Sequence, residues 1–312
     1  MNSRPVQFDR FGPPDVLAVG PFPEPHAGPG EVRVRVETAG ISPVDLALRA
    51  GSSPSSGKLA LPHVPGVDAA GVIDEVGAEV SGFAVGEEVF GAVDVARLGG
   101  ASAEFAVLRF WARKPGSMSW VEAGAAGTSV ETATRALDGL GVHEGATLVI
   151  EGAAGGVGSV AVQLAIARGA RVIGTGRPGN HPFIAGLGAL PVAYGAGLGE
   201  RLRALGVDRV DLALDVAGAG SLPELIALTG TAASVLTIAD FTGPGLGVRV
   251  SLGELGGEPG GRHGLPIAAA LSEEGRFRVP VWETFPMSRA AEAHAAAGKG
   301  PRQGKIALTV SH

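Results

Sequence analysis

Hydrophobic and polar positions follow two different periods along this chain, and the change between them divides it into two regions. In residues 31–37 apolar and charged side chains alternate strictly, as they do in a strand with one face exposed to water. Short apolar segments at 70–76 and 88–93, set between glycine and proline turns, predict two more strands. The first 120 or so residues are therefore predicted to form a β-rich domain.

From about Val121 onward, helical and strand patterns alternate. Helical spacing of apolar residues covers 122–140 and 157–168. The strands predicted in this region are 147–150, 171–175, 210–215 and 233–238. Such alternation implies an α/β fold with a parallel, doubly wound sheet. Near the end, 289–297 predicts an alanine-rich helix and 305–310 a strand that we expect to return to the first domain.

A glycine-rich turn joins the first of these strands to the helix after it, and reads Gly152-x-x-Gly155-x-x-Gly158. The helix start offers unpaired N–H groups to a pyrophosphate, Gly155 and Gly156 permit close approach, and Gly158 permits close packing of the helix. In the common G-x-G-x-x-G pattern the first glycine would fall at Ala153. Since glycine makes up 51 of 312 residues, a purely structural turn is the alternative. The predicted nucleotide contacts here are Gly152, Ala154, Gly155, Gly156 and Val157.

The end of the next strand bears on which dinucleotide is bound. Sites selective for NAD place a carboxylate about 20 residues after the first glycine, where it binds the ribose hydroxyls. This chain instead has Gly174, Thr175, Gly176 and Arg177. Thr175 can hydrogen-bond a phosphate and Arg177 can pair with one, so the sequence predicts NADP(H), unless Arg177 is an ordinary solvated cation.

Other cofactor contacts are expected where later strands end, because ligands of open α/β sheets bind at the carboxyl ends of strands. Asp215 is expected to be a structural carboxylate at a strand end rather than a general base. The residues predicted to contact the cofactor at these ends are Val216, Ala217, Ile238, Asp240 and Phe241.

Composition limits the kinds of partner and metal site that the protein is expected to have. The net charge of −6 and the pI near 5.7 argue against nucleic acid or an anionic membrane as the main partner. The chain has no cysteine, which excludes disulfides and thiolate zinc sites, and its seven histidines lack metal-binding spacing. We expect no metal site.

His63 is expected to be a loop residue at the substrate cleft. The absence of an apolar signal segment predicts a cytoplasmic protein.

Several segments, in the same order, resemble the zinc-independent quinone oxidoreductase (zeta-crystallin-like) branch of the medium-chain dehydrogenase/reductase family. They are Ala39-Gly-Ile-Ser-Pro-Val-Asp45, Pro62 to Val72, Gly82 to Gly91, the 152–158 turn, Gly188 to Tyr194 and Gly304-Lys-Ile-Ala-Leu. The resemblance implies a GroES-like catalytic domain at 1–121, completed by about 272–312, and a Rossmann domain at 122–271. Substrate is then expected in the cleft where the domains meet.

The same resemblance suggests site residues. It places Ser42 and Asp45 near the nicotinamide, Thr132 near its carboxamide and Tyr194 at the adenosine-phosphate end of the cofactor. The structural alternative is helix capping or turn stabilisation for Asp45, and capping or a hydrogen bond back to its own helix for Thr132. For Tyr194 the alternative is packing at the surface. The zinc-ligand positions of zinc-dependent relatives fall at Ser42 and at Val67-Asp68, and their structural zinc lobe, between Ala92 and Gly100, has no cysteine here.

The source of the proton is less evident. The aromatic position of several relatives falls at Ala47, so the proton is expected from solvent or from Ser42 through water. Lys305 is expected to be a solvated lysine that could reach the nucleotide.

The predicted activity is an NADPH-dependent, zinc-independent reduction of a quinone or an α,β-unsaturated carbonyl. The alternatives are a tailoring ketone or enoyl reductase of a biosynthetic pathway, and a noncatalytic NADPH-binding protein with a crystallin-like or sensory role. The resemblance also suggests a homodimer that acts on a small molecule.

Overall fold

The computed structural model describes residues 2–94, 99–300 and 303–310, so part of the segment that matches the zinc lobe lies outside the described residues. Its contacts divide the chain into two compact units. Unit 1 comprises Met1–Thr128 and Leu265–His312, and unit 2 comprises Ser129–Gly264. The predicted domain limits at 121 and 272 stay predictions. Within the described residues, no helix has the length and apolar composition needed to cross a membrane.

The first part of unit 1 is rich in strands, as its alternating pattern indicates. Its strands are β1 (Asn2–Ser3), β2 (Val6–Gln7), β3 (Ala18–Val19), β4 (Phe22–Pro23), β5 (Val32–Ile41), β6 (Asp68–Val76), β7 (Glu88–Ala92), β8 (Phe105–Leu108) and β9 (Phe110–Arg113). Its helices are α1 (Pro43–Ala50) and α2 (Trp120–Gly124), and α3 (Gly127–Leu140) begins in unit 1 and continues into unit 2. In β5, Val32, Val34 and Val36 are fully buried, which confirms the predicted alternation.

Unit 2 contains the alternating strands and helices. They are β10 (Thr147–Glu151), α4 (Gly156–Ala167), β11 (Arg171–Gly176), α5 (His181–Gly186), β12 (Leu190–Ala193), α6 (Leu198–Ala204), β13 (Leu212–Asp215), α7 (Leu222–Thr229), β14 (Val235–Thr237) and β15 (Arg249–Val250). The chain then forms α8 (Gly264–Glu273), β16 (Val281–Pro286), α9 (Ala290–Gly298) and β17 (Lys305–Thr309). Single 3-10 turns lie at Pro14–Val16, Ser56–Lys58, Pro178–Asn180, Ala232–Ser234, Gly243–Leu246, Gly253–Gly256 and Met287–Arg289.

Each unit is built on one large sheet. In unit 1 a seven-stranded sheet has the order β16, β17, β5, β6, β7, β9, with β8 paired to β5. The C-terminal strand β17 therefore does return to the first domain, as its sequence predicts. In unit 2 a six-stranded parallel sheet has the order β12, β11, β10, β13, β14, β15. Its register aligns Glu151 with Thr175 and with Asp215, so these strands end at one edge.

Three local predictions differ from the structure. The helix predicted at 122–140 is two helices, α2 and α3, because Gly124 and Gly127, which are poor helix formers, flank the break. The strand predicted at 233–238 is confined to β14, since residues 232–234 form a 3-10 turn. Strand β12 has no counterpart among the predicted strands, and its Pro191 is tolerated because β12 is an edge strand.

His63 lies in a loop, as predicted, but its side chain is buried in unit 1. Only 3% of the residue is exposed, and its backbone exchanges two 2.9 Å hydrogen bonds with that of Phe8. The imidazole also meets the Phe8 ring edge-on, with centroids 5.4 Å apart. Burial lowers the pKa of His63 from 6.5 to about 4.

This burial predicts a pH dependence of folding. The His63 ring is neutral in the folded protein, and unfolding lets it bind a proton at any pH between its folded pKa of about 4 and its ordinary 6.5. The contribution of His63 to the free energy of unfolding is therefore complete above its ordinary pKa. It falls by about 1.4 kcal/mol per pH unit as the pH decreases toward the folded pKa. From pH 7 to about pH 5, the difference in unfolding free energy between His63→Gln and the wild type should move by about 2 kcal/mol in the variant's favour. Urea denaturation at both pH values measures it.

His143→Gln, at an exposed histidine, is the control and should show no such movement. The same pH dependence in wild type and His63→Gln would contradict the prediction.

Candidate functional site

Three neighbouring strands of the unit 1 sheet bring three polar residues to one edge. Ser42 follows β5, Asp68 begins β6 and Lys305 begins β17. Strand β5 lies between the other two and runs antiparallel to both, so its end meets their beginnings. The register pairs Gly40 with Asp68. The sheet itself thus assembles residues that are up to 263 positions apart in sequence.

These residues and Thr128 form a hydrogen-bonded group, here called the buried polar cluster (Ser42, Asp68, Thr128, Lys305). Lys305 Nζ donates to Asp68 Oδ2 at 2.8 Å and also to Ser42 Oγ. Ser42 Oγ donates to Asp68 Oδ2 at 3.0 Å, and the Thr128 N–H, in the first turn of α3, donates to Asp68 Oδ1. Both carboxylate oxygens of Asp68 are therefore occupied.

Burial differs within the cluster. Asp68 is 0% exposed, Lys305 4% and Ser42 5%, whereas Thr128 is half-buried. The Ser42 and Thr128 hydroxyl oxygens lie 3.3 Å apart, and either can donate to the other. Thr128 is thus the member of the cluster with the most access to its outside.

Asp45 holds the backbone around the cluster. Its Oδ2 accepts from the Ser42 N–H at 2.8 Å, and its Oδ1 accepts from the Gly66 N–H at 3.0 Å. Burial raises the pKa of Asp45 to about 7, an effect that Asp68 increases and that the two N–H donors and Lys305 oppose. The carboxyl group therefore fixes the start of α1 and the loop before β6. Its proposed contact with the nicotinamide stays a prediction.

The interpretation of Lys305 as a solvated lysine is wrong, because its side chain is buried and paired with Asp68. The sequence analysis names Asp68 only as a zinc-ligand position of zinc-dependent relatives, and it does not name Thr128. The available signal was a charged residue at the edge of an apolar run, in Val67-Asp68-Ala69 and again in Lys305-Ile306-Ala307. A buried charge requires a partner, but only the strand register identifies it.

Thr132 has other partners. Its hydroxyl donates to Glu131 Oε2 at 3.1 Å, and Arg135 donates to it at 3.5 Å, all on α3 in unit 2. The threonine that the structure joins to Ser42 is Thr128, four residues earlier on the same helix. Which of the two approaches a nicotinamide carboxamide remains a prediction.

The residues at this edge do not fit a zinc ion. A zinc site needs three or four converging nitrogen, sulfur or carboxylate ligands. Among the described residues, no group of three or more His, Cys, Asp or Glu side chains is arranged to hold a metal. The Lys305 ammonium already occupies the position beside Asp68 and Ser42, where it would repel a second cation.

The glycine turn in unit 2 fits a pyrophosphate. Gly152 has a φ of +83°, Gly155 is the N-cap of α4, and the next N–H groups are those that a helix leaves without intrahelical acceptors. A Cβ atom on Gly158 would lie 2.2 Å from the Gly152 carbonyl oxygen, so glycine is required there for α4 to pack. A Cβ on Gly155 would meet only that oxygen, at 3.4 Å. The space over the turn is therefore open.

Two of the predicted phosphate contacts lie together. Arg177 and Tyr194 are both exposed, and Arg177 Nε donates to the Tyr194 hydroxyl at 3.3 Å. Gly174, Thr175 and Gly176 belong to β11 itself rather than to the segment after it, and all three are buried. The Thr175 hydroxyl has no hydrogen-bond partner in the structure.

The remaining predicted contacts lie where β13 and β14 end. Val216 and Ala217 adjoin the glycine turn, since a Cβ on Gly152 would lie 3.1 Å and 3.2 Å from their side chains. Asp215 accepts from the N–H groups of Ala217 and Gly218 and from the Thr237 hydroxyl, which confirms its structural role. Further along are Ile238, Asp240 and Phe241, and Phe241 is 65% exposed. Asp240 accepts two hydrogen bonds from Thr242, which lower its pKa.

Comparison with known families agrees with this architecture. The alcohol dehydrogenase GroES-like domain model matches residues 28–136, and the zinc-binding dehydrogenase model matches residues 187–308. The chain is 33% identical to a 2-methylene-furan-3-one reductase of Solanum lycopersicum, over 76% of this chain and 63% of that protein. It is 35% identical to a quinone oxidoreductase of Lama guanicoe, over 55% of this chain and 52% of that one. The chain thus spans about half to three-fifths of the length of these relatives.

Solved structures match over the whole chain. The quinone oxidoreductase from Coxiella burnetii superposes with a TM-score of 0.84 at 26% identity, covering 100% of both chains. An alcohol dehydrogenase superfamily protein from Novosphingobium aromaticivorans gives a TM-score of 0.85 at 30% identity, again with full coverage of both.

The open space over the glycine turn generates a prediction. Gly155→Ala should leave the melting temperature of the free protein within about a degree, because its Cβ meets only one atom, at ordinary contact distance. The same methyl group would project into the space for the pyrophosphate, so the dissociation constant for NADPH should rise by about tenfold or more. Calorimetric titration and thermal melting measure the two quantities.

Gly186→Ala, at the end of α5, also adds a methyl group in open space and should leave both quantities unchanged. Unaltered affinity of Gly155→Ala for NADPH would show that the pyrophosphate does not bind over this turn.

Proposed function

We propose that this chain, which belongs to the medium-chain dehydrogenase/reductase family, is an NADPH-dependent, zinc-independent reductase of quinones or α,β-unsaturated carbonyls. The observation that carries the proposal is the Lys305 ammonium, buried beside Asp68 and bonded to the Ser42 hydroxyl. Reduction of a conjugated carbonyl creates negative charge on oxygen, and a preorganised cation with hydroxyl donors stabilises such charge. Two relatives, named 2-methylene-furan-3-one reductase and quinone oxidoreductase, are consistent with this substrate class.

Family membership implies a nicotinamide cofactor, which would supply the hydride. In our proposal the N–H groups at the start of α4 bind its pyrophosphate, and Arg177 with Tyr194 binds the 2′-phosphate that distinguishes NADPH from NADH. The strand-end residues from Val216 to Phe241 would pack against the rest of the nucleotide. This chain's contribution on the cofactor side is therefore binding and orientation.

On the substrate side, the hydroxyls of Ser42 and Thr128 are the proposed grip on the carbonyl oxygen. Asp68 holds both residues in place, because it accepts from the Ser42 hydroxyl and from the Thr128 N–H. The positive charge of Lys305 acts at this oxygen through Ser42. The chemistry then needs no metal, and the proposal assigns zinc no role.

The test is turnover with a panel of acceptors. NADPH oxidation should be observed with quinones or with small alkenals and enones, and should be much slower with enoyl thioesters. Preference for enoyl thioesters would favour a tailoring reductase, and NADPH binding without turnover of any acceptor would overturn the enzymatic proposal in favour of a noncatalytic binding protein. The homodimer and the cytoplasmic location expected from the sequence stay predictions.

Cofactor selectivity yields a separate prediction. Arg177→Ala should raise the dissociation constant for NADPH by about tenfold or more, because an Arg-phosphate pair is lost, and should leave that for NADH nearly unchanged. Arg171→Ala, at the exposed beginning of β11, is the matched control and should affect neither. If Arg177→Ala raised the dissociation constants for NADPH and NADH equally, Arg177 would have no role in recognising the 2′-phosphate.

A further inference from the structure

We propose that the Lys305 ammonium is the proton source of the reaction and that its proton reaches the substrate through the hydroxyls of Ser42 and Thr128. This inference rests on the proposed function and extends it to the origin of the proton. No aromatic hydroxyl is available as the donor in unit 1, since the aromatic position of several relatives falls at Ala47 and the only tyrosine of the sequence, Tyr194, lies in unit 2.

The three groups form a continuous chain of hydrogen-bonding atoms. Lys305 Nζ donates to Ser42 Oγ, and Ser42 Oγ lies 3.3 Å from Thr128 Oγ1. The exposure of the residues increases along this hydrogen-bond path, from 4% at Lys305 and 5% at Ser42 to the half-buried Thr128. Both hydroxyls can accept one proton while they donate another, which is what a relay requires.

Asp68 holds the three hydrogen-bonding groups in place. Its Oδ2 accepts from both Lys305 and Ser42, which fixes the ammonium and the serine relative to each other. Its Oδ1 accepts from the Thr128 N–H, which fixes the first turn of α3. One rotation of the Ser42 hydroxyl, from Asp68 toward Thr128, completes the path. Asp68 is therefore a positioning residue, and Thr128 is the residue that meets the substrate.

The proton and electron count of the step balances. The quinone or enone would gain two electrons and one hydrogen as the hydride that NADPH would supply, which leaves an oxyanion. Thr128 gives its hydroxyl proton to this oxygen, takes the proton of Ser42, and Ser42 takes one from Lys305. The product is a hydroquinone or an enol that becomes the saturated carbonyl. The neutral Lys305 amine then regains a proton from water along the same path in reverse.

A test that needs neither cofactor nor turnover is available, because the chain has only four lysines, at 58, 114, 299 and 305. Protein labelled with ¹⁵N at lysine Nζ should give a Lys305 signal that Lys305→Arg removes. Its ammonium protons should exchange with water through Ser42 and Thr128. Thr128→Val should therefore slow this exchange by about tenfold or more, while Thr128→Ser should retain it.

The matched control is Thr134→Val, which removes a buried hydroxyl with no hydrogen-bond partner from the same helix. It should leave the exchange rate unchanged. An unchanged chemical shift of Lys305 Nζ and an unchanged melting temperature in Thr128→Val would show that the ion pair with Asp68 persists, so that only the path has been cut. Exchange in Thr128→Val as fast as in the wild type would overturn the proposal.

Kinetics separate this inference from the proposed function. In Thr128→Val, kcat for an accepted quinone or enone should fall by about 100-fold with little change in KM, its solvent deuterium isotope effect should increase, and Thr128→Ser should recover most of the rate. If the wild type reduces an acceptor and Thr128→Val does so with the same kcat, the proton path is overturned and the proposed function is not. Slowed exchange in a protein that reduces no acceptor would overturn the proposed function and support the path.

Discussion

The ion pair between Asp68 and Lys305 is the interaction on which the candidate site depends. It joins the beginnings of β6 and β17 to the end of β5, and through the carboxylate it also fixes the first turn of α3. A buried pair of this kind adds little net stability relative to apolar residues of the same size, whereas removal of one partner costs about 3–5 kcal/mol. The pair therefore contributes more to specifying an arrangement than to stability. In that arrangement the Lys305 ammonium is bonded to the Ser42 hydroxyl, which lies 3.3 Å from the Thr128 hydroxyl.

In the proposed function, the same ion pair takes the place that a metal ion has in zinc-dependent enzymes. In a zinc enzyme the metal ion supplies the positive charge that stabilises a developing oxyanion. In our proposal the ammonium supplies that charge, and among the described residues no group of three or more His, Cys, Asp or Glu side chains is arranged to hold a metal. A lysine also carries protons, so in our proposal one residue combines the electrostatic role with the supply of a proton.

The sequence predicted features that depend on local periodicity. The alternation at 31–37 is present because one face of β5 is buried, and the apolar run at 147–150 is present because that strand is buried on both faces. The return of β17 to the first domain is present as well. It did not predict the partners of Lys305 or the contacts of Thr128 with Ser42 and Asp68, since these contacts depend on register between strands far apart in the chain. The pairing of Arg177 with Tyr194 likewise arises from neighbouring parallel strands.

The most direct test of the account is turnover after rigorous removal of metal. The protein would be treated with a strong chelator, its zinc content measured by mass spectrometry, and NADPH oxidation followed with the best quinone or enone acceptor. The account predicts an undiminished kcat at less than about 0.05 zinc per chain, with no increase on addition of zinc. Loss of activity on chelation, recovered in proportion to the zinc restored, would contradict it.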